Sequence, residues 1–113
     1  MIARVWAGRL AKSNLSAYLN HFSNNVLPEL KGCVGFASAQ VLTRDLDTET
    51  EVVVNTFWKN WASIEAFAGS DRDAAVVAPE AASLLTSYDE RVKHYFVAVS
   101  DNSESVSLFD DRD

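Results

Sequence analysis

Val52-Val53-Val54 places three β-branched residues in a row, runs through Asn55-Thr56-Phe57 into Trp58, and turns at once into the helix-forming stretch Trp61-Ala62-Ser63-Ile64-Glu65-Ala66-Phe67. A strand with one solvated face alternates apolar and polar residues, so an apolar run on both parities describes a strand covered on two sides. With 113 residues and 48% hydrophobic content, the chain has room for one domain with one core. The second cover therefore has to come from outside the domain.

The rest of the chain supplies the partners of that strand. Ile2 to Arg9 reads as a first strand, and Ser13 caps a helix whose apolar stripe is Leu15, Tyr18, Leu19, Phe22 and Val26. Pro28 bounds its regular part and Gly32 closes it. Val34 to Thr43 is a second strand with Phe36, Ser38, Gln40 and Leu42 on one face and Gly35, Ala37, Ala39 and Val41 on the other. Cys33 opens that strand as a small hydrophobe. Residues 44–49 form a polar hairpin connection, and Val52 to Trp58 is strand three. Asn60 caps the helix from Trp61 to Ala68, which Gly69 ends. Ser70-Asp71-Arg72-Asp73 resembles a capping box for another short helix, Pro79-Glu80 opens a third helical piece, and Tyr88 to Val99 is the last strand.

The order β-α-β-β-α-β describes an α+β, ferredoxin-like domain over residues 1–100: a four-stranded antiparallel sheet with helices on one face. Helices can cover only that face, yet strands one, three and four are apolar on both. The expectation is a homodimer through the open sheet face, giving a dimeric α+β barrel. Residues 101–113 carry five acidic side chains against Arg112 and read as a solvated, flexible tail.

A net charge of −6 gives no basic footprint, which excludes nucleic acid and an anionic membrane as expected partners and leaves a small neutral or apolar ligand. No run of about 18 apolar residues offers a membrane span, and Met1-Ile2-Ala3-Arg4-Val5-Trp6 already reads as strand rather than signal peptide. One cysteine cannot form an internal disulfide, which favours a reducing, cytoplasmic location. Zinc spacing, a phosphate loop and a nucleophile elbow are all missing, so no metal and no nucleotide cofactor is expected.

Met1-Ile2-Ala3-Arg4-Val5-Trp6 with Gly8-Arg9, Gly35-Phe36, Thr56-Phe57-Trp58 before Ile64-Glu65-Ala66-Phe67-Ala68, Ala75-Val76-Val77, and Tyr88 to Tyr95 together resemble the antibiotic biosynthesis monooxygenase family over about residues 1 to 99. The resemblance implies a dimeric α+β barrel. It also implies oxygenation of polycyclic aromatics without metal or flavin, or, in a related branch, binding and degradation of haem. That branch uses an asparagine near the end of strand one, and a tryptophan and a histidine about two and a half turns apart after strand three. Gly8, Phe67 and Val77 stand at those positions here. Val77 cannot ligate iron, so haem degradation by that route is not expected, although an apolar pocket for a flat ring survives the changes.

Cofactor-free oxygenation asks the protein to deprotonate a phenolic or quinol-like aromatic, stabilise its charge and exclude water. His94, flanked by Tyr95 and Phe96, is the candidate base; the alternative is a core or interface histidine satisfied by one hydrogen bond. Trp58 either stacks on substrate and donates its indole N–H, or plugs the core. Trp6 shares a strand face with Ile2, Arg4 and Gly8. Arg4, among apolar neighbours, has to find a carboxylate or a substrate anion. Phe67 and Val77 complete the substrate-binding set, His21 reads as surface or rim, and Trp61 as a surface aromatic or dimer anchor. The competing function is a non-catalytic dimeric module that binds a small apolar or porphyrin-like ligand.

Overall fold

In the computed structural model, which describes residues 1–101, β1 (Ile2–Ala11), β2 (Phe36–Asp45) and β3 (Glu49–Trp58) are ten residues each. β4 (Leu85–Tyr88) and β5 (Lys93–Phe96) are short. All pairings are antiparallel, in the order β2-β3-β1-β4, with β5 also on β1. That is the ferredoxin-like arrangement, with five strands where four were expected. The expected last strand breaks because Glu90 to Val92 leave the β1 edge, after Asp89 N–H has donated to Ala7 O at 2.9 Å. Ala75 N–H donates to Glu90 O at 2.9 Å and Val92 N–H to Asp73 O at 2.7 Å before the chain returns to pair Lys93 with Val5.

The helical layer begins with a 3₁₀ turn (Lys12–Asn14) and α1 (Leu15–His21), continues through a π-helical turn (Phe22–Val26), and ends with α2 (Leu27–Lys31). Ser13 was expected to cap it; instead the 3₁₀ turn starts the helix without a side-chain cap. As expected, the regular α-helical spacing gives way just before Pro28, and Gly32 closes the tail. Pro28 sits in the first turn of α2, where a missing N–H is tolerated, and the wide π turn before it resets the hydrogen-bond spacing. α3 (Trp61–Ala68) is capped by Asn60, and α4 (Pro79–Ala82) starts on its proline. The short helix expected after Ser70 does not form; residues 70–78 are irregular, tied strand-fashion to residues 90–92.

The register settles which parity meets the helices. Ile2, Arg4, Trp6 and Leu10 of β1 oppose Trp58, Thr56, Val54 and Thr50 of β3, and all eight are buried beneath the helical layer with Tyr18, Phe22, Leu30 and Ile64. The odd residues Val5, Val53, Asn55 and Phe57 point to the opposite face and are half-buried. In β2 a bulge between Phe36 and Ser38 corrects the expected faces. It turns Phe36 inward with Ala39 and Val41 and leaves Leu42 outward. Cys33 lies in the turn before β2, its thiol donating to Glu29 O at 3.5 Å. Among the described residues no helix is long and apolar enough to cross a membrane. The acidic tail lies outside the described residues beyond Asp101.

Candidate functional site

A cleft of about 90 Å³ opens between the buried sheet face and the helical layer. Its floor carries Arg4, Trp6, Val54 and Thr56, placed there by the even parity of β1 and β3. Tyr18, His21 and Phe22 face it from the helix, and Phe67, Val77 and Val92 complete the walls. Four of the expected site residues, Arg4, Trp6, Phe67 and Val77, thus line one cavity. Trp58 and His94 do not.

Trp58 is fully buried behind the cleft, its indole N–H donating to Thr56 Oγ1 at 2.9 Å. Its ring lies 5.3 Å from that of Phe67 and 5.5 Å from that of Phe36, so it backs the wall that Phe67 presents. The Trp6 N–H is likewise occupied, donating to Asp89 O at 3.0 Å. His94, paired across strands with Arg4, has both ring nitrogens engaged. Nε2 is 3.1 Å from Arg4 Nη1 and Nδ1 is 3.1 Å from Asp73 Oδ1. A guanidinium only donates, so Nε2 accepts and the proton sits on Nδ1, directed at the carboxylate. Burial holds the imidazole pKa below its ordinary value, Arg4 pushes it further down, and Asp73 opposes both.

Arg4 is 5% exposed and finds no carboxylate: among the described residues no ion pair reaches it. Nη2 donates to Ala74 O at 2.8 Å and Nη1 to Arg72 O, while its Cζ stands 5.7 Å from the Phe67 ring centroid. The irregular segment after α3 therefore exists partly to bring backbone carbonyls to this cation. Burial lowers the Arg4 pKa against the pull of Asp73, but a guanidinium remains charged in any ordinary buffer.

Two cleft residues escaped the sequence reading as polar groups of the site. Tyr18, read only as part of the apolar stripe, brings a hydroxyl that burial pushes up to about 12, so it stays neutral and serves only as a hydrogen-bonding group. His21 was read as surface or rim. Its Nδ1 is 3.0 Å from Asn25 Nδ2, its side chain lines the cleft, and its Nε2 is buried with no partner. The spacing that finds it is i+3 from Tyr18.

No family model matches the sequence, and no curated protein does. Solved structures do match. A provisionally designated antibiotic biosynthesis monooxygenase from Bacillus cereus superposes with a TM-score of 0.63 at 16% identity, covering 90% of this chain and 95% of that one. The haem degrader MhuD from Mycobacterium tuberculosis, with two haems bound in its active site, gives 0.65 at 16% identity over 90% of this chain and all of that one. A second provisionally designated monooxygenase, from Deinococcus radiodurans, gives 0.56 at 14% over 91% and 98%. The chain has the fold of these antibiotic biosynthesis monooxygenase-type proteins. At such identities the likeness is one of fold.

The haem of one neighbour can be tested against the residues here, and they do not fit it. A Cβ added at Gly8 would stand 2.9 Å from the Trp6 ring and 3.2 Å from Tyr88, so the indole leaves little room for any side chain there. Val77 offers iron no ligand. Among the described residues no cluster of His, Cys, Asp or Glu is arranged to hold a metal ion.

Proposed function

We propose that the chain is a monooxygenase acting without a cofactor on a small phenolic or quinol-like aromatic bound in this cleft. The observation that carries the reading is an apolar cavity with one buried, carboxylate-free guanidinium in its floor. Such a cation stabilises a phenolate far better than water does, because the surroundings are apolar and the charge is already in place. The phenol proton can leave to solvent as the ring enters, so no general base need touch the ring. An electron-rich phenolate can then hand electrons to dioxygen. With 1-naphthol the balance closes without an external reductant: one oxygen atom forms the new C=O of 1,4-naphthoquinone, and the other departs as water with the O–H and ring C–H hydrogens.

Trp6, Phe67 and Val77 give the cavity its flat apolar walls, and Trp58 backs Phe67. His94 acts through Arg4, as a positioning residue that holds the guanidinium by accepting from Nη1. We extend the proposal to a homodimer through the outer sheet face, which carries Val5, Val53 and Phe57. Oxygen-electrode and ¹⁸O₂ measurements with 1-naphthol test the chemistry. Protein-dependent uptake with one label in the quinone is expected. Uptake that yields only labelled peroxide, or none with any phenol bound, would favour the second reading, a non-catalytic module using the same cleft for an apolar ligand; the sparse set of titratable side chains around it supports that reading.

A further inference from the structure

The aromatic-ligand reading places a phenolate oxygen on Arg4, and the cleft lining holds a second polar group that bears on the charge of the ligand. Arg4 is a buried cation whose partners are backbone carbonyls and a neutral imidazole, all uncharged. Its charge is thus left without a contacting anion in an apolar setting, which is unfavourable unless a ligand supplies one. His21 is the second group. The Asn25 amide nitrogen is a donor, so it occupies the Nδ1 lone pair and leaves the His21 proton on Nε2, an atom buried without an acceptor on a side chain that lines the cleft. A buried N–H without an acceptor is unfavourable in the same way, and both groups ask for oxygen.

We infer that the cleft selects aromatics that enter as anions, a carboxylate or a phenolate on an apolar ring, with the ionised oxygen on Arg4 and a hydrogen bond from His21 Nε2 to an oxygen of the same ligand. Tyr18 adds a neutral hydroxyl beside them. The negative charge of the whole chain does not oppose this, because the Asp and Glu side chains lie outside the cleft lining. His21 is then a specificity-determining residue, and the site discriminates between isosteres of the same shape that differ in charge.

This inference rests on the proposed aromatic site, and the test separates the two. The full chain is titrated anaerobically with 1-naphthoate and with the neutral isostere 1-naphthamide, following tryptophan emission and heat. Naphthoate should bind at least tenfold more tightly. His21→Leu should reduce that preference about fivefold, and His21→Gln, which keeps an N–H donor, should restore most of it, with the far-ultraviolet spectrum and urea midpoint of each variant confirming that it folds. Equal binding of the two probes overturns the anion inference while leaving an aromatic site in place. Binding of neither overturns the aromatic site and the inference with it. A preference for naphthoate that survives His21→Leu unchanged removes His21 from the assignment.

Discussion

Gly35 shows how narrowly a single residue can be specified. Its φ is +87°, a region that L side chains rarely enter, and a Cβ built there would meet Ser63 Oγ at 1.8 Å. Ser63 cannot move aside freely, because its hydroxyl and its N–H both donate to Asn60 Oδ1, at 2.8 and 2.9 Å. Gly35→Ala should therefore destabilise the domain by about 2–4 kcal/mol, adding backbone strain to overpacking; a lower urea midpoint at unchanged m-value is the expected result. His94 makes a different kind of prediction. It is neutral in the folded chain and its pKa lies below the ordinary 6.5, chiefly through burial. The unfolded chain therefore takes up the proton first as pH falls. The stability His94 contributes is whole above about pH 6.5 and declines as the pH drops from there toward the folded value. The urea midpoint should fall between pH 7.5 and pH 5.5, and His94→Gln should flatten that slope; parallel slopes would mean that His94 titrates alike in both states.

At the scale of the element, α3 is short, and its start depends on one cap. Asn60 is extended and accepts from Ser63 N, and the helix then turns Ile64 and Phe67 toward the core. Asn60→Ala should cost about 1 kcal/mol of stability, and because Phe67 lines the cleft, the same change should weaken naphthoate binding; an intact affinity would show that the wall does not depend on the cap. This helix was legible in the sequence because its cap, its periodicity and Gly69 are all local signals. The segment after it was not. Ser70 to Asp73 has the spacing of a capping box, but Arg4, some seventy positions away, takes the carbonyls of Arg72 and Ala74, and residues 90–92 take the remaining backbone bonds. Long-range pairing overrode a local preference, and the same pairing split the last strand. The inward turn of Phe36 was hidden because a bulge shifts parity without leaving a mark in the pattern, and His94 opposite Arg4 was hidden because cross-strand register is a long-range property. Of the four cleft-lining residues, Arg4 and Trp6 were legible because β1 keeps its alternation from Ile2 to Gly8, whereas Phe67 and Val77 were reached through the family resemblance.

For the whole molecule, the triple valine divides between two environments. Val52 and Val54 are buried under the helices, whereas Val53 faces outward with Val5, Asn55 and Phe57. Tyr95, paired with Ala3, and Leu42, paired with Val53, extend that face and are 54% and 49% exposed. An apolar sheet face bordered by Gln40 and Lys93 is suited to a second copy of itself, because a twofold axis places each strand's side chains against an equivalent set at the usual sheet-to-sheet spacing of about 10 Å. Sedimentation of the wild-type chain should give twice the mass of one chain at micromolar concentration. Phe57→Arg puts a charge on the outer face of β3 without touching the cleft, whose floor is built from the opposite parity. It should shift the mass to that of one chain and leave the far-ultraviolet spectrum intact. If the domain instead stays dimeric with Phe57→Arg, the interface lies elsewhere; if the wild type is already monomeric, the outer valines are covered by something other than a second copy.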